Sequence, residues 1–352
     1  MAYQSLTSIG ILSSDENNIT HHITKEIFLK LDYEVIYKNK KETINILSSK
    51  NKLVLIMELN PKIIESVLNM ELYFDVLLLS TLKEEDYKNP FIRSMVSRGQ
   101  YIIMNIDESN SMYILGENTE GLIITYGLNK KATITASSLN TSSNTEFNLC
   151  LQREFNSING IKIEPMEVPI VINLIGKTSI YHGLGAIACG LSCGINVSQI
   201  QEVLSKISGV YRHLEKIYDK NYMILDNDCS MPSDYNLIFE EIQNIKCKDV
   251  YVISGIDIDQ GIYTIKKNLE VILSWMPIIG IKKVFLYVNK VDSLIRNNID
   301  LLLTSKKVNY EIFTELNICI ENTILLLDKN DLLLMMGNEC LRNSREIISQ
   351  LI

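Results

Sequence analysis

The chain has 352 residues, long enough for two domains, and 46% of them are apolar, which can furnish a full core. Its 42 acidic residues outnumber 34 lysines and arginines, a formal net charge of -8, which argues against a general nucleic-acid-binding surface. No basic segment with a following apolar run opens the sequence and no apolar stretch is long enough to cross a bilayer, so a cytoplasmic protein without a membrane partner is expected.

In chain order, SIGIL reads as a strand, SSDENNIT as a polar loop and residues 20–31 as a helix leading to the strand EVIY. KLVLIMEL precedes a helical NPKIIESVLNM, FDVLLLST precedes another helical region, and QYIIMNID is a further strand. VLLL and YIIM are apolar at every position, as a sheet buried on both faces and mainly parallel requires. From Thr133 to Pro169, short alternating strands and Ser/Asn turns predict an antiparallel patch attached to that sheet. Helices follow in LGAIACGLSCG and VSQIQEVLSKI. Cys189 and Cys193 fall on the small-residue face of the first, and four histidines elsewhere do not make a zinc site.

The segment SGVYRHLEKIYDKNYMILDND predicts a small edge hairpin at a domain junction. Beyond it come helix YNLIFEEIQNI, strand DVYVISG, a helix near residues 267–275, strand KKVFLYV, helix EIFTELNICIE and strand DLLLMMG. The expected fold is therefore α/β in two domains. A mainly parallel sheet with helices on both faces occupies 1–214, and a smaller Rossmann-like α/β domain occupies 215–352.

Seven short segments carry the candidate chemistry. They are SSDENNIT after the first strand, Glu58 near the end of VLIMEL, and Asp86 after FDVLLLST. Asn105, Asp107 and Glu108 follow in NIDES, then NLIGKTSIYHGLGAIA with Ser179 and His182, and GVYRHLE with Arg212 and Glu215. The last is DNDCSMP with Asp226 and Pro232. In this order they resemble the Mur ligase family, ATP-dependent ligases of peptidoglycan precursors that join a carboxylate to an amine through an acyl phosphate. Later VISGIDIDQG and LLLMMGNE fit the same order, with Gly255, Asp257, Asp259, Gly261 and Gly337 kept. The resemblance covers the family's central ATPase-like and C-terminal domains. It leaves no counterpart for the usual N-terminal substrate domain, since the strand-loop-helix unit begins almost at Met1.

The departures from the family pattern are consistent. Laid on the loop TGTNGKTT, residues 13–20 lose both glycines, and Asn18 takes the lysine's place. Glycines let backbone N–H groups converge on phosphate oxygens and the lysine neutralises their charge, whereas Asp15 and Glu16 bring negative charge. The histidine expected near Asp86 is absent, as is a lysine that some members carbamylate. Two family asparagines become Ser179 and His182, and GKT at residues 176–178 lacks the full phosphate-loop pattern.

What the resemblance implies for sites is a nucleotide set of Asn18, Thr20, Asn105, His182, Arg212 and Asp226, and magnesium ligands Glu58 and Asp107, with no catalytic residue assigned. Three readings stand. In the first, ligase activity and cofactor binding are lost, and the chain serves as a binding or regulatory partner in cell-envelope metabolism. That partner is another ligase, an enzyme subunit, or a second copy. In the second, it is an active carboxylate–amine ligase using ATP and magnesium at an altered site. The third is a small-molecule or cation-binding module built on Asp226, Asp228, Asp234, Asp257 and Asp259. Each of these residues also has the ordinary alternative of capping a strand or helix end.

Overall fold

The central strands are buried on two faces and the edge strands are not. The computed structural model describes residues 5–14, 18–108, 110–115, 119–207, 209–289 and 293–352, and it divides into units of residues 1–208 and 209–352. The first unit runs β1 (Ser5–Leu12), α1 (Ile19–Leu29), β2 (Glu34–Lys38), β3 (Ile44–Ser49), β4 (Lys52–Leu59), α2 (Ile64–Asn69), β5 (Val76–Leu79), α3 (Pro90–Val96), β6 (Tyr101–Asn105) and β7 (Leu122–Tyr126). It continues with β8 (Ile134–Asn140), β9 (Thr145–Leu151), the short β10 (Phe155–Asn156) and β11 (Lys162–Ile163), β12 (Met166–Ile172), α4 (Thr178–Ser192) and α5 (Val197–Lys206).

Ten of these strands make one sheet in the order β12-β9-β8-β7-β6-β5-β1-β4-β3-β2. The inner ladder β4-β1-β5-β6-β7-β8 is parallel, and antiparallel hairpins extend both ends. The patch predicted at Thr133–Pro169 is thus β8, β9 and β12. EVIY does not lie beside the first strand; it becomes the antiparallel edge strand β2, while β4 takes the place next to β1. All four residues of β5 are buried, as its unbroken apolar run predicts. On α4, Gly183, Gly185 and Gly190 let the helix lie close to the sheet and its neighbours. A Cβ at Gly183 would sit 2.2 Å from Ile172 Cδ1. Cys189 is buried within this face.

The second unit runs β13 (Glu215–Asp219), β14 (Met223–Asp228), α6 (Pro232–Ile242), β15 (Val250–Ile256), α7 (Ile262–Ile279) and β16 (Ile281–Val288). Then come α8 (Ser293–Ser305), β17 (Tyr310–Phe313), α9 (Leu316–Ile324), β18 (Leu332–Gly337) and α10 (Ser344–Leu351). Its sheet has the order β13-β14-β18-β15-β16-β17, parallel except for the β13–β14 hairpin. Every residue of β15 and β18 is buried, and Ile253, Phe285, Leu333 and Met335 lie in its core. EIFTELNICIE, read as one helix, is split. Tyr310–Phe313 pairs in parallel with β16, and the helix begins only at Leu316, because the sheet still had an open edge for an aromatic and β-branched segment. Gly280, in the left-handed region at φ 71, ends α7. The contact division falls before Gly209, six residues ahead of the boundary expected after Leu214.

Candidate functional site

At the carboxyl ends of a parallel sheet the chain must turn, and α/β proteins bind ligands there. After β1, Ser13 N donates to Leu59 O (2.9 Å) and Ser14 N to Thr81 O (2.8 Å), so the chain leaves between the ends of β4 and β5. Ser14 Oγ donates to Asp86 Oδ2 at 2.5 Å, and the same carboxylate accepts from Lys83 N at 2.9 Å. Asp15, Glu16 and Asn17 lie outside the described residues.

Asn18, in the place of the loop lysine, turns inward. Its Oδ1 accepts from His21 N (3.0 Å) and caps α1, while its Nδ2 donates to Ile11 O (3.4 Å). The adjoining Ile19 is 3% exposed, and its side chain has no oxygen to offer a metal. Thr20 is fully buried, its Oγ1 lying 2.7 Å from Ser80 Oγ and 2.9 Å from half-buried His182 Nδ1. Two expected site residues, Thr20 and His182, are therefore brought together across 162 positions of sequence. Next to them Tyr126, buried, donates to Leu79 O at 3.0 Å, and burial pushes its phenol far up. His21, also buried, is held down to about 4, chiefly by burial and then by nearby Lys25.

Asp107 is committed to a turn. Leu128 N (2.5 Å), Asn129 N (3.0 Å) and Tyr181 Oη (3.1 Å) all donate to its carboxylate, and Asn105 Oδ1 accepts from its N–H at 3.0 Å. Gly127, at φ 150, leaves the room this turn needs, since a Cβ there would meet Asp107 Cγ at 2.8 Å. Glu58 is the penultimate residue of β4, half-buried, with its pKa raised by burial. Strands β1 and β5 separate β4 from β6, so Glu58 and Asp107 stand three strand spacings apart, roughly 14 Å at about 4.8 Å each. They are not placed to share one ion. Among the described residues no group of three His, Cys, Asp or Glu side chains is placed to hold a metal.

In the second unit, Arg212 and Asp226 are paired and buried, at 3% and 1% exposure, rather than open to a ligand. Arg212 Nε donates to Asp226 Oδ2 at 3.1 Å, Nη1 to Asn338 O at 2.7 Å, and Nη2 to Gly337 O. Its own N–H donates to Glu215 Oε2 at 3.0 Å, and Arg345 Nη1 reaches Glu215 Oε1 at 2.5 Å. The guanidinium thus ties the segment before β13 to the ends of β14 and β18. Asp226 Oδ1 has no hydrogen-bond partner among the described residues, and burial pushes the carboxyl up to about 6 against the pull of Arg212. The acidic residues of the cation-module reading include caps. Asp234 accepts from Ser230 N and Met231 N at the start of α6, and Asp257 accepts from Asp259 N (3.1 Å) and Asn338 Nδ2 (2.9 Å).

Sequence reading missed Ser80 and Lys83. Ser80 extends the buried Thr20–His182 contact, and Lys83 is an exposed cation whose backbone N lies 3.4 Å from Ser14 Oγ. Both stand in STLKEED directly after the buried run VLLL, a position where an α/β sheet places functional groups. At this corner Asn18 and Ile19 supply neither the cation nor the metal-binding hydroxyl that a triphosphate loop uses.

No family model matches the chain. Its sequence is 28% identical over 158 residues to a UDP-N-acetylmuramoyl-L-alanyl-D-glutamate–2,6-diaminopimelate ligase of Oceanobacillus iheyensis, covering 44% of this chain and 29% of that relative. The chain therefore spans less than a third of that relative's length. Its fold matches a solved ligase of the same name with a TM-score of 0.72 at 11% identity, covering 99% of this chain and 79% of the other. It also matches MurF ligase of Thermotoga maritima, solved in complex with ADP. There the TM-score is 0.67 at 10% identity, with coverage of 98% and 80%.

Proposed function

Because the chain belongs to the Mur ligase family, we propose that it is a member without ATP-dependent ligase activity, one that acts as a binding or regulatory partner of another enzyme in cell-envelope assembly. One observation carries this reading. The residue in the loop-lysine position, Asn18, spends its side chain on capping α1 and on Ile11 O. Phosphoryl transfer is catalysed largely by cations positioned around the moving group. A neutral cap supplies none. The uncapped field of a helix N-terminus is worth only about 0.3–1 kcal/mol to an exposed anion.

The test is calorimetric titration of the full chain with ATP, with and without magnesium, followed by assay for phosphate release with carboxylate and amine substrates. The expected result is no magnesium-dependent heat and no turnover. Micromolar magnesium-dependent binding, roughly -8 kcal/mol, would overturn the proposal.

An active ligase is the second reading, favoured by Lys83 and Glu58. Lys83 brings an exposed cation to the loop corner, and the Glu58 side chain has no hydrogen bond or ion pair among the described residues. On that reading ATP turnover exists and falls at least tenfold in both Lys83→Ala and Glu58→Gln. If turnover exists and neither substitution changes it, this corner is not where the chemistry occurs.

A further inference from the structure

The two edges of the ten-stranded sheet are treated differently. At β12, Pro169 has no N–H to offer, and Gln201 Nε2 occupies the Pro169 carbonyl at 2.7 Å. At the other edge every residue of β2 is exposed, including Val35 (41%), Ile36 (53%) and Tyr37 (51%). β-Branched and aromatic residues on an open edge are what a pairing strand presents, and proteins ordinarily blunt such an edge.

The sequence around β2 is antisymmetric in charge. In DYEVIYKNK, residues 32–40, acids stand two and four positions before Ile36 and lysines two and four positions after it. An antiparallel copy centred on Ile36 sets Glu34 against Lys38, Asp32 against Lys40 and Val35 against Tyr37, each pair occurring twice. We propose that β2 is the contact strand of a two-fold dimer of this chain, joining the sheets of two copies edge to edge. A two-fold contact must be self-complementary, and this segment is. Its one irregularity, a register shift against β3 between Val35 and Tyr37, falls at the symmetry axis. The ion pair that Lys38 makes with Glu42 at 2.6 Å is half-exposed, so sharing the lysine costs little. A five-residue contact is small, and association in the micromolar range follows.

Light scattering and sedimentation of the full chain test this, with two exposed variants, Glu34→Lys and Lys38→Glu. Each alone opposes like charges at two places and is expected to weaken dimerisation at least tenfold. Mixed in equal amounts they restore every opposite-charge pair and form a heterodimer. Folded-state circular dichroism is expected unchanged. A wild-type chain that stays monomeric at high micromolar concentration overturns the proposal. So does a wild-type dimer that both variants retain, or single variants that fail to associate when mixed.

Discussion

Replacing Arg212 by methionine keeps much of the side chain's volume and removes its charge and donors. Asp226 titrates at about 6 in the fold against an ordinary 3.8. Without the guanidinium it stays buried only by taking up a proton. At about pH 7.5 this costs roughly 2 kcal/mol, at about 1.4 kcal/mol for each pH unit above about 6. The carbonyls of Gly337 and Asn338 lose their donors, which adds about 1–3 kcal/mol. The sum, roughly 3–5 kcal/mol, agrees with the usual cost of removing one half of a buried ion pair. The sign with pH follows from the raised carboxyl. The folded state binds this proton more tightly than the unfolded chain, so the contribution of Asp226 is full below about 4 and declines as pH rises through about 6. At about pH 5 the proton costs almost nothing and the Arg212→Met penalty shrinks to about 1–3 kcal/mol. Urea unfolding followed by tryptophan fluorescence measures this. The single tryptophan, Trp275, lies on α7 in the second unit, with its ring stacked on Phe239 and its Nε1 donating to Asn236. A penalty below about 1 kcal/mol, or one that does not change with pH, would refute the reasoning.

Other outcomes follow from single contacts. His21 is held at about 4 rather than 6.5, so the first unit loses stability as pH falls from about 6.5 towards 4, by at most about 3 kcal/mol. His21→Gln should flatten that slope in amide exchange of α1, and an unchanged slope would exclude His21 as its source. Asn18→Ala removes the cap of α1 and should cost about 1 kcal/mol, read as faster exchange in its first turn. Gly183→Ala drives a methyl into Ile172 Cδ1 and should cost about 1–3 kcal/mol in thermal unfolding. Adding Ile172→Val removes that atom, and no recovery would mean the clash is not the cause.

Much of the fold was legible because burial writes a pattern into sequence. VLLL and YIIM announced strands buried on both faces, the stretch at Thr133–Pro169 announced an antiparallel extension, and AIACGLSCG announced a close-packed helix. Motif order announced the likeness to Mur ligases in sequence and fold. Pairing partners were not legible, because periodicity fixes which face a residue occupies and leaves its neighbour strand open. Hence EVIY sits at an edge antiparallel to β3, and Tyr310–Phe313 is strand rather than helix.

The candidate sites divide in the same way. Sequence alone determined which side chains exist at the loop, namely an asparagine where the resembling loop has its lysine, a serine and an asparagine where it has glycines, and two acids between them. Only the tertiary structure decided what each does. It joined Thr20 to Ser80 and His182, set Glu58 and Asp107 apart, and closed Arg212 onto Asp226. Hydrogen bonds and ion pairs depend on distances of a few ångströms between residues tens to hundreds of positions apart. Those distances are set by strand order and packing, and no local stretch of sequence encodes them.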